Sequence, residues 1–244
     1  MQRRDFIKKS SLASGLLFVN PFVDLNIFQE FSEDELIGKG KPTLFGDDFK
    51  LRDEAFLQFN MMRIAAKEAG FNIHVVSSYR SYTHQNGIWE RKYKSYRNQG
   101  LSHEKTIAKI IEYSTIPGTS RHHWGTDLDI IDSTKGIPSS PLSETHFNEG
   151  GRMRKFKLWL DDNSEKFGFY LVYTNKEGRK GFAYEPWHFS YKPLSLKMLK
   201  EYKELDIKKL LQTNNLMGSE NFTEEFIEKY TRENILDINP NLLS

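Results

Sequence analysis

The chain contains no cysteine. That excludes disulfides, thiolate metal sites, cysteine nucleophiles and a lipid-modified N-terminal cysteine. It leaves the compartment open, because a domain with an adequate core can live outside the cytosol without disulfides. A metal site in this chain must therefore draw on its seven histidines and its carboxylates. Charge of one sign is also scarce. Against 35 Lys and Arg stand 33 Asp and Glu, a net charge of +2, which gives no electrostatic case for a nucleic-acid partner. No stretch reaches the ~18 consecutive apolar residues of an ordinary membrane span. Aromatics are plentiful, with 18 Phe, 11 Tyr and 4 Trp, enough to build a core without covalent staples.

The first residues differ from the rest. Arg3-Arg4-Asp5-Phe6-Ile7-Lys8-Lys9 is followed by a short apolar run ending at Val19. A basic head before a short apolar run is the build of an export signal, and the paired arginines resemble a twin-arginine signal. Residues 1–25 are thus expected to direct export to the periplasm or cell envelope. Residues 26–50, with Pro42 and several glycines, read as an irregular lead-in.

Residues 53–70 show a helical stripe of Phe56, Phe59, Met62, Ile64 and Ala66, with Asp53 at the start and Gly70 as a stop. Residues 71–76 alternate and are rich in β-branched side chains, which predicts a strand. Helices are expected over 81–98, 102–114 and 153–167, and strands over 128–131, 169–174 and 183–191. The turn 175–178 joins the last two strands. Residues 134–150 read as a loop, and two or three helices follow Leu194. The Lys-rich stretch 197–209 alternates with Leu and Ile, as an amphipathic helix with a wet face does. Helices and strands do not alternate regularly, so the fold class expected is α+β, a small antiparallel sheet flanked by helices.

Two polar runs stand out against this frame. The first is Ser120-Arg121-His122-His123-Trp124-Gly125-Thr126-Asp127-Leu128-Asp129, and the second is Glu185-Pro186-Trp187-His188. Catalytic zinc takes three His or carboxylate ligands and keeps a fourth position open. His122 and Asp129 can supply two, provided that the chain turns between them, and Gly125 permits such a turn. Side chains alternate across a strand, so Asp127 and Asp129 share one face. His188, on a neighbouring strand, can present the third ligand. Glu185 lies three residues earlier, placed to take a proton from activated water and pass it on. His123 is a rival to His122, disfavoured by its spacing to Gly125 and Asp129.

The motifs Ser-x-His-x-x-Gly-x-[Ala/Asp]-x-Asp and Glu-x-x-His resemble those of the VanY-type D-alanyl-D-alanine carboxypeptidases. The wider superfamily includes lysostaphin-type endopeptidases, D-Ala-D-Ala dipeptidases and the Hedgehog domain. A third stretch, Ser77-Ser78-Tyr79-Arg80-Ser81-Tyr82-Thr83-His84-Gln85, is similar to the family's Ser-x-Tyr-Arg-Ser-x-x-x-Gln segment. The resemblance implies a single zinc ion held by His122, Asp129 and His188, with Glu185 as general base. It implies that Arg80 contacts the substrate or the developing oxyanion, and that Ser120 and Gln85 assist substrate binding. The implied substrate is a peptidoglycan stem peptide cut before its C-terminal D-residue. Residues 51–195 would form the peptidase domain and 196–244 a helical C-terminal extension. Asp127 stands where many members carry Ala, adding a negative charge near the site.

Two other readings share these residues. One is an L,D-carboxypeptidase or a wall endopeptidase on the same metal site. The other is a wall-peptide binding module that keeps zinc without turnover, against which the intact Glu185 argues. Trp124 and Trp187, beside the ligands, are expected to pack and stiffen the site. His74, His84, His103 and His146 have structural or surface roles as their default.

Overall fold

A computed structural model of the chain describes residues 30–213 and 215–244. The expected export signal, residues 1–25, and the lead-in up to residue 29 lie outside the described residues. Four strands, β1 (Ile73–Ser77), β2 (Asp127–Asp132), β3 (Phe169–Leu171) and β4 (His188–Tyr191), form one sheet. Their order is β1-β2-β4-β3, and every neighbouring pair is antiparallel. The helices are α1 (Glu33–Leu36), α2 (Asp53–Glu68), α3 (Tyr82–Asn98), α4 (His103–Ile110), α5 (Arg154–Asn163), α6 (Lys192–Tyr202), α7 (Ile207–Leu211) and α8 (Glu224–Tyr230). The expected α+β class with a small antiparallel sheet is what the chain adopts.

Local chemistry sets several of these boundaries. Ser32 and Glu35 form a reciprocal capping box at the start of α1, an ordered turn inside the expected irregular lead-in. The Ser81 and Ser102 side chains accept from the first turns of α3 and α4. On α2, Ala55, Phe59, Met62 and Ala66 are buried, whereas Ile64 is 60% exposed. Ile64 was expected on the buried stripe. Its two-residue offset from Met62 turns it ~200° around the helix, away from the core face.

Two apolar clusters result. In one, α2 and α5 cover the sheet with Phe59, Met62, Phe156 and Leu160 against Leu128, Ile130, Phe169 and Phe189. In the other, Trp89, Tyr93, Ile107 and Ile110 of α3 and α4 pack with Met198, Tyr202, Ile227 and Tyr230 of the later helices. The second cluster also takes Phe31 and Leu36 from before α2 and Leu242 from the far end. Truncating a fully buried aromatic such as Phe59 costs about 3–5 kcal/mol.

Three further expectations are corrected. Residues 183–187 are not strand. Pro186 lacks an N–H, and the Glu185 carbonyl accepts from the His188 N–H in a turn, so β4 begins only at His188. The helix expected over 102–114 ends at Ile110. The Lys-rich stretch 197–209 is two helices, broken where the Asp206 side chain caps α7. Among the described residues, no helix is long and apolar enough to cross a membrane.

Candidate metal centre

Strand register places the central pair. Asp129 of β2 lies directly opposite His188 of β4, and Asp127 lies opposite Ser190. Cross-strand partners share a face, so these four side chains emerge together, while Leu128 and Phe189 turn to the apolar cluster. His122 arrives from a 3-10 turn, Arg121–Trp124, that precedes β2. Gly125 ends that turn in the left-handed region at φ 67°, ψ 27°, and a Cβ there would stand 2.8 Å from Leu44 Cδ2. Glycine meets both demands.

His122, Asp129 and His188 are all buried, and one ligating atom of each lies within 4.8 Å of the others. The outer nitrogens are already committed. His122 Nδ1 bonds the Ser78 carbonyl at 2.8 Å, which leaves Nε2 facing Asp129 Oδ2 at 3.4 Å. His188 Nε2 bonds Asp127 Oδ2 at 2.9 Å, which leaves Nδ1 at 3.7 Å from Asp129 Oδ1. Asp129 Oδ1 is buried and accepts no hydrogen bond among the described residues. Leaving a buried carboxylate oxygen unpaired costs on the order of kilocalories. Two imidazoles and that carboxylate are the donor set of a catalytic zinc site, so the residues present fit such an ion.

Glu185 completes the group. Its Oε2 lies 3.0 Å from His188 Nδ1. Burial raises its pKa, opposed by the His188 contact, so its carboxyl is poised nearer neutrality than an exposed one. Burial alone would lower the His188 pKa, but its bonds to Asp127 and Glu185 raise it to about 10. Burial acts against ionised Asp129, yet the neighbouring His122 and His188 hold its pKa low.

Arg80 enters the same cleft. Its backbone is pinned on both sides: the N–H donates to the His122 carbonyl, and the carbonyl accepts from His123 Nδ1 at 2.5 Å. His123 Nε2 takes the Gly118 N–H at 3.2 Å. With both ring nitrogens engaged and burial pushing its pKa down to about 3, His123 is a neutral clamp and not a rival ligand. The Arg80 guanidinium donates to Gln85 Oε1 at 2.6 Å and to Ser77 Oγ at 2.7 Å, and lies 4.0 Å from Asp129 Oδ2.

Gln85 was expected to contact substrate, and its position corrects that. It is fully buried, and its amide is used at both ends, by Arg80 and by the Thr115 carbonyl at 2.8 Å. Because Ser81 caps α3, Gln85 falls on the helix's first turn, behind Arg80. Ser120 does line the cleft, together with Arg80, His122, Asp129, Glu185, His188, Tyr173 and Phe182; the volume is about 280 Å³.

Sequence reasoning missed several contributors. The Ser78 carbonyl is invisible in a side-chain motif. Tyr173 stands edge-on to the His188 ring, with centroids 5.1 Å apart, and its aromatic neighbours gave it no distinguishing signal. Trp124 and Trp187 are buried as expected. The Trp124 indole donates to the Leu36 carbonyl at 3.0 Å, and Trp187 packs on Phe147.

A pair of histidines, one on the sheet and one on the turn before it, with an aspartate, a carboxyl beside them and a cleft in front define a metallopeptidase-type site. The chain belongs to the VanY family, D-alanyl-D-alanine carboxypeptidases, whose family model matches residues 48–194. The putative carboxypeptidase YodJ of Bacillus subtilis (strain 168) is 32% identical over 142 residues, 58% of this chain and 46% of that protein. The chain thus spans about half the length of that relative. A solved structure of a vancomycin resistance D,D-pentapeptidase VanY mutant in complex with Zn(II) is 26% identical with TM-score 0.50, covering 67% of this chain and 85% of that one. The LdcB LD-carboxypeptidase structure, described in terms of peptidoglycan recognition, is 28% identical with TM-score 0.51, covering 76% and 79%.

Proposed function

We propose that the protein is a zinc-dependent carboxypeptidase that removes the C-terminal D-alanine from peptidoglycan stem peptides outside the cytoplasm. The observation that carries this reading is the convergence of His122, Asp129 and His188, with Asp129 Oδ1 unpaired at its centre and Glu185 alongside. Family membership supports the reaction class, and the Zn(II)-bound VanY structure supports the metal.

His122, Asp129 and His188 would hold the zinc, which when bound would supply Lewis acidity toward a carbonyl and a water. The remaining work falls to the chain's own groups. Glu185 accepts the proton of the attacking water and delivers it to the amine nitrogen as the peptide bond breaks. The Arg80 guanidinium, held by Gln85 and Ser77, offers donors to the terminal carboxylate or to the developing oxyanion. Ser120 offers a hydroxyl at the cleft wall. Tyr173 and Phe182 give that wall an apolar surface, which limits water around the reacting bond.

Digesting defined muropeptides and weighing the products tests the proposal. A pentapeptide stem should lose one alanine, and the activity should vanish with chelator and return with zinc. Release of D-alanine from a tetrapeptide instead would favour the L,D reading, for which the likeness to LdcB is the motivating observation. Binding of the peptide by zinc-loaded protein without hydrolysis would favour the binding module.

A further inference from the structure

We propose that Asp127 is a positioning residue, holding the His188 ring so that Nδ1 is presented to the metal, with Arg121 as the balancing charge. This rests on the reading that His122, Asp129 and His188 hold zinc. Asp127 is fully buried, and its carboxylate accepts four hydrogen bonds. They come from Arg121 Nε at 3.1 Å, His188 Nε2 at 2.9 Å, Ser190 Oγ at 2.6 Å and Thr126 Oγ1 at 2.8 Å. Arg121 is buried too and closes the ring by donating from Nη2 to Ser190 Oγ at 2.7 Å.

A buried carboxylate costs several kcal/mol unless it is paired and hydrogen-bonded, and Arg121 meets that requirement alone. The bond to His188 is the part that a plain structural pair does not need. Asp127 grips the one imidazole nitrogen that points away from the cluster, and Ser78 does the same for His122 with a neutral carbonyl. Outer partners of this kind fix ring orientation and raise ligand basicity, and removing them typically costs about 10–100-fold in metal affinity. Strand register makes the arrangement available here. Asp127 precedes Asp129 by two residues on the same face, opposite Ser190, so its carboxylate meets the His188 ring on the diagonal while Asp129 stands directly opposite it. The pairing also accounts for two buried charged residues together, Asp127 and Arg121.

The test is zinc affinity of the full chain by competition with a chromophoric chelator, together with the visible spectrum of the cobalt(II)-loaded protein. Asp127→Ala should bind zinc about 10–100-fold more weakly than wild type, and Asp127→Asn should fall between. At saturating cobalt the ligand-field bands of Asp127→Ala should shift, a change that lower stability alone would not produce. Arg121→Met/Asp127→Ala leaves no buried unpaired charge and keeps the experiment interpretable if the single variant folds poorly. It should show the same weakened affinity. Wild-type affinity in the double variant would overturn the proposal, since the loss would then belong to an uncompensated Arg121. Unaltered affinity and spectrum in Asp127→Asn and Asp127→Ala would overturn it as well. Failure of wild type itself to retain zinc would instead remove the metal reading on which the proposal stands.

Discussion

The two segments that build the site are held in opposite ways. Residues 120–132 are built from regular structure. A 3-10 turn, one left-handed glycine and a strand place His122 and Asp129 within ten residues of chain, and the strand's pairing with β1 and β4 does the rest. Residues 172–187, which deliver Tyr173 and Glu185, contain no helix or strand. They are held by distant parts of the chain. The Asp237 carboxylate caps the N–H groups of Lys180 and Gly181 at 2.6 and 3.2 Å. Arg179 donates to the carbonyls of Thr174 and Phe182, and Asn239 donates to those of Leu171 and Val172. Two of the three ligands, His122 and Asp129, thus come from one ordered turn and strand, whereas the proposed acid–base group is braced by the C-terminal segment.

That contrast predicts a separation of metal binding from turnover. The largest effect is expected from His122→Ala, which should abolish both zinc retention and peptide hydrolysis, measured by metal analysis and muropeptide digestion. Glu185→Ala should keep zinc but lower turnover on the order of 10² or more, as loss of an acid–base group does. Equal loss of zinc in both variants would break the contrast. Gly181→Ala is expected to come next. A Cβ there would fall 1.7 Å from the Glu233 carbonyl oxygen, so the 172–187 segment must move off its brace. Turnover should drop at least tenfold, as small misplacements of reacting groups do, while zinc affinity stays near wild type. The smallest effect is expected from Gln85→Ala. It frees Arg80 to wander and should raise KM several-fold with little change in zinc content.

The same contrast explains what could be read before the structure was known. Residues 120–132 and the helix over 53–68 were legible because the information is local: motif spacing, a glycine at the turn, a hydrophobic period. Residues 183–187 were misread as strand because Ala183-Tyr184-Glu185 leads into true strand residues at 188–191, and nothing nearby announces that Asp237 and Asn239 hold the chain elsewhere. Gln85 was placed among substrate contacts because a motif shows which residues recur near a site and not which stand behind others. His123 was set below His122 on spacing alone, and its contacts with Arg80 and Gly118 needed three-dimensional partners. Asp127 was seen as added charge. Only the folded side chains reveal its bond to His188.

Everything proposed for this protein depends on one ion meeting His122, Asp129 and His188. Anomalous scattering from a crystal of the zinc-loaded protein, recorded on both sides of the zinc absorption edge, tests this most directly. The account predicts a single strong peak bonded to His122 Nε2, the Asp129 carboxylate and His188 Nδ1. A peak at other residues, or none in protein shown to be saturated with zinc, would contradict it.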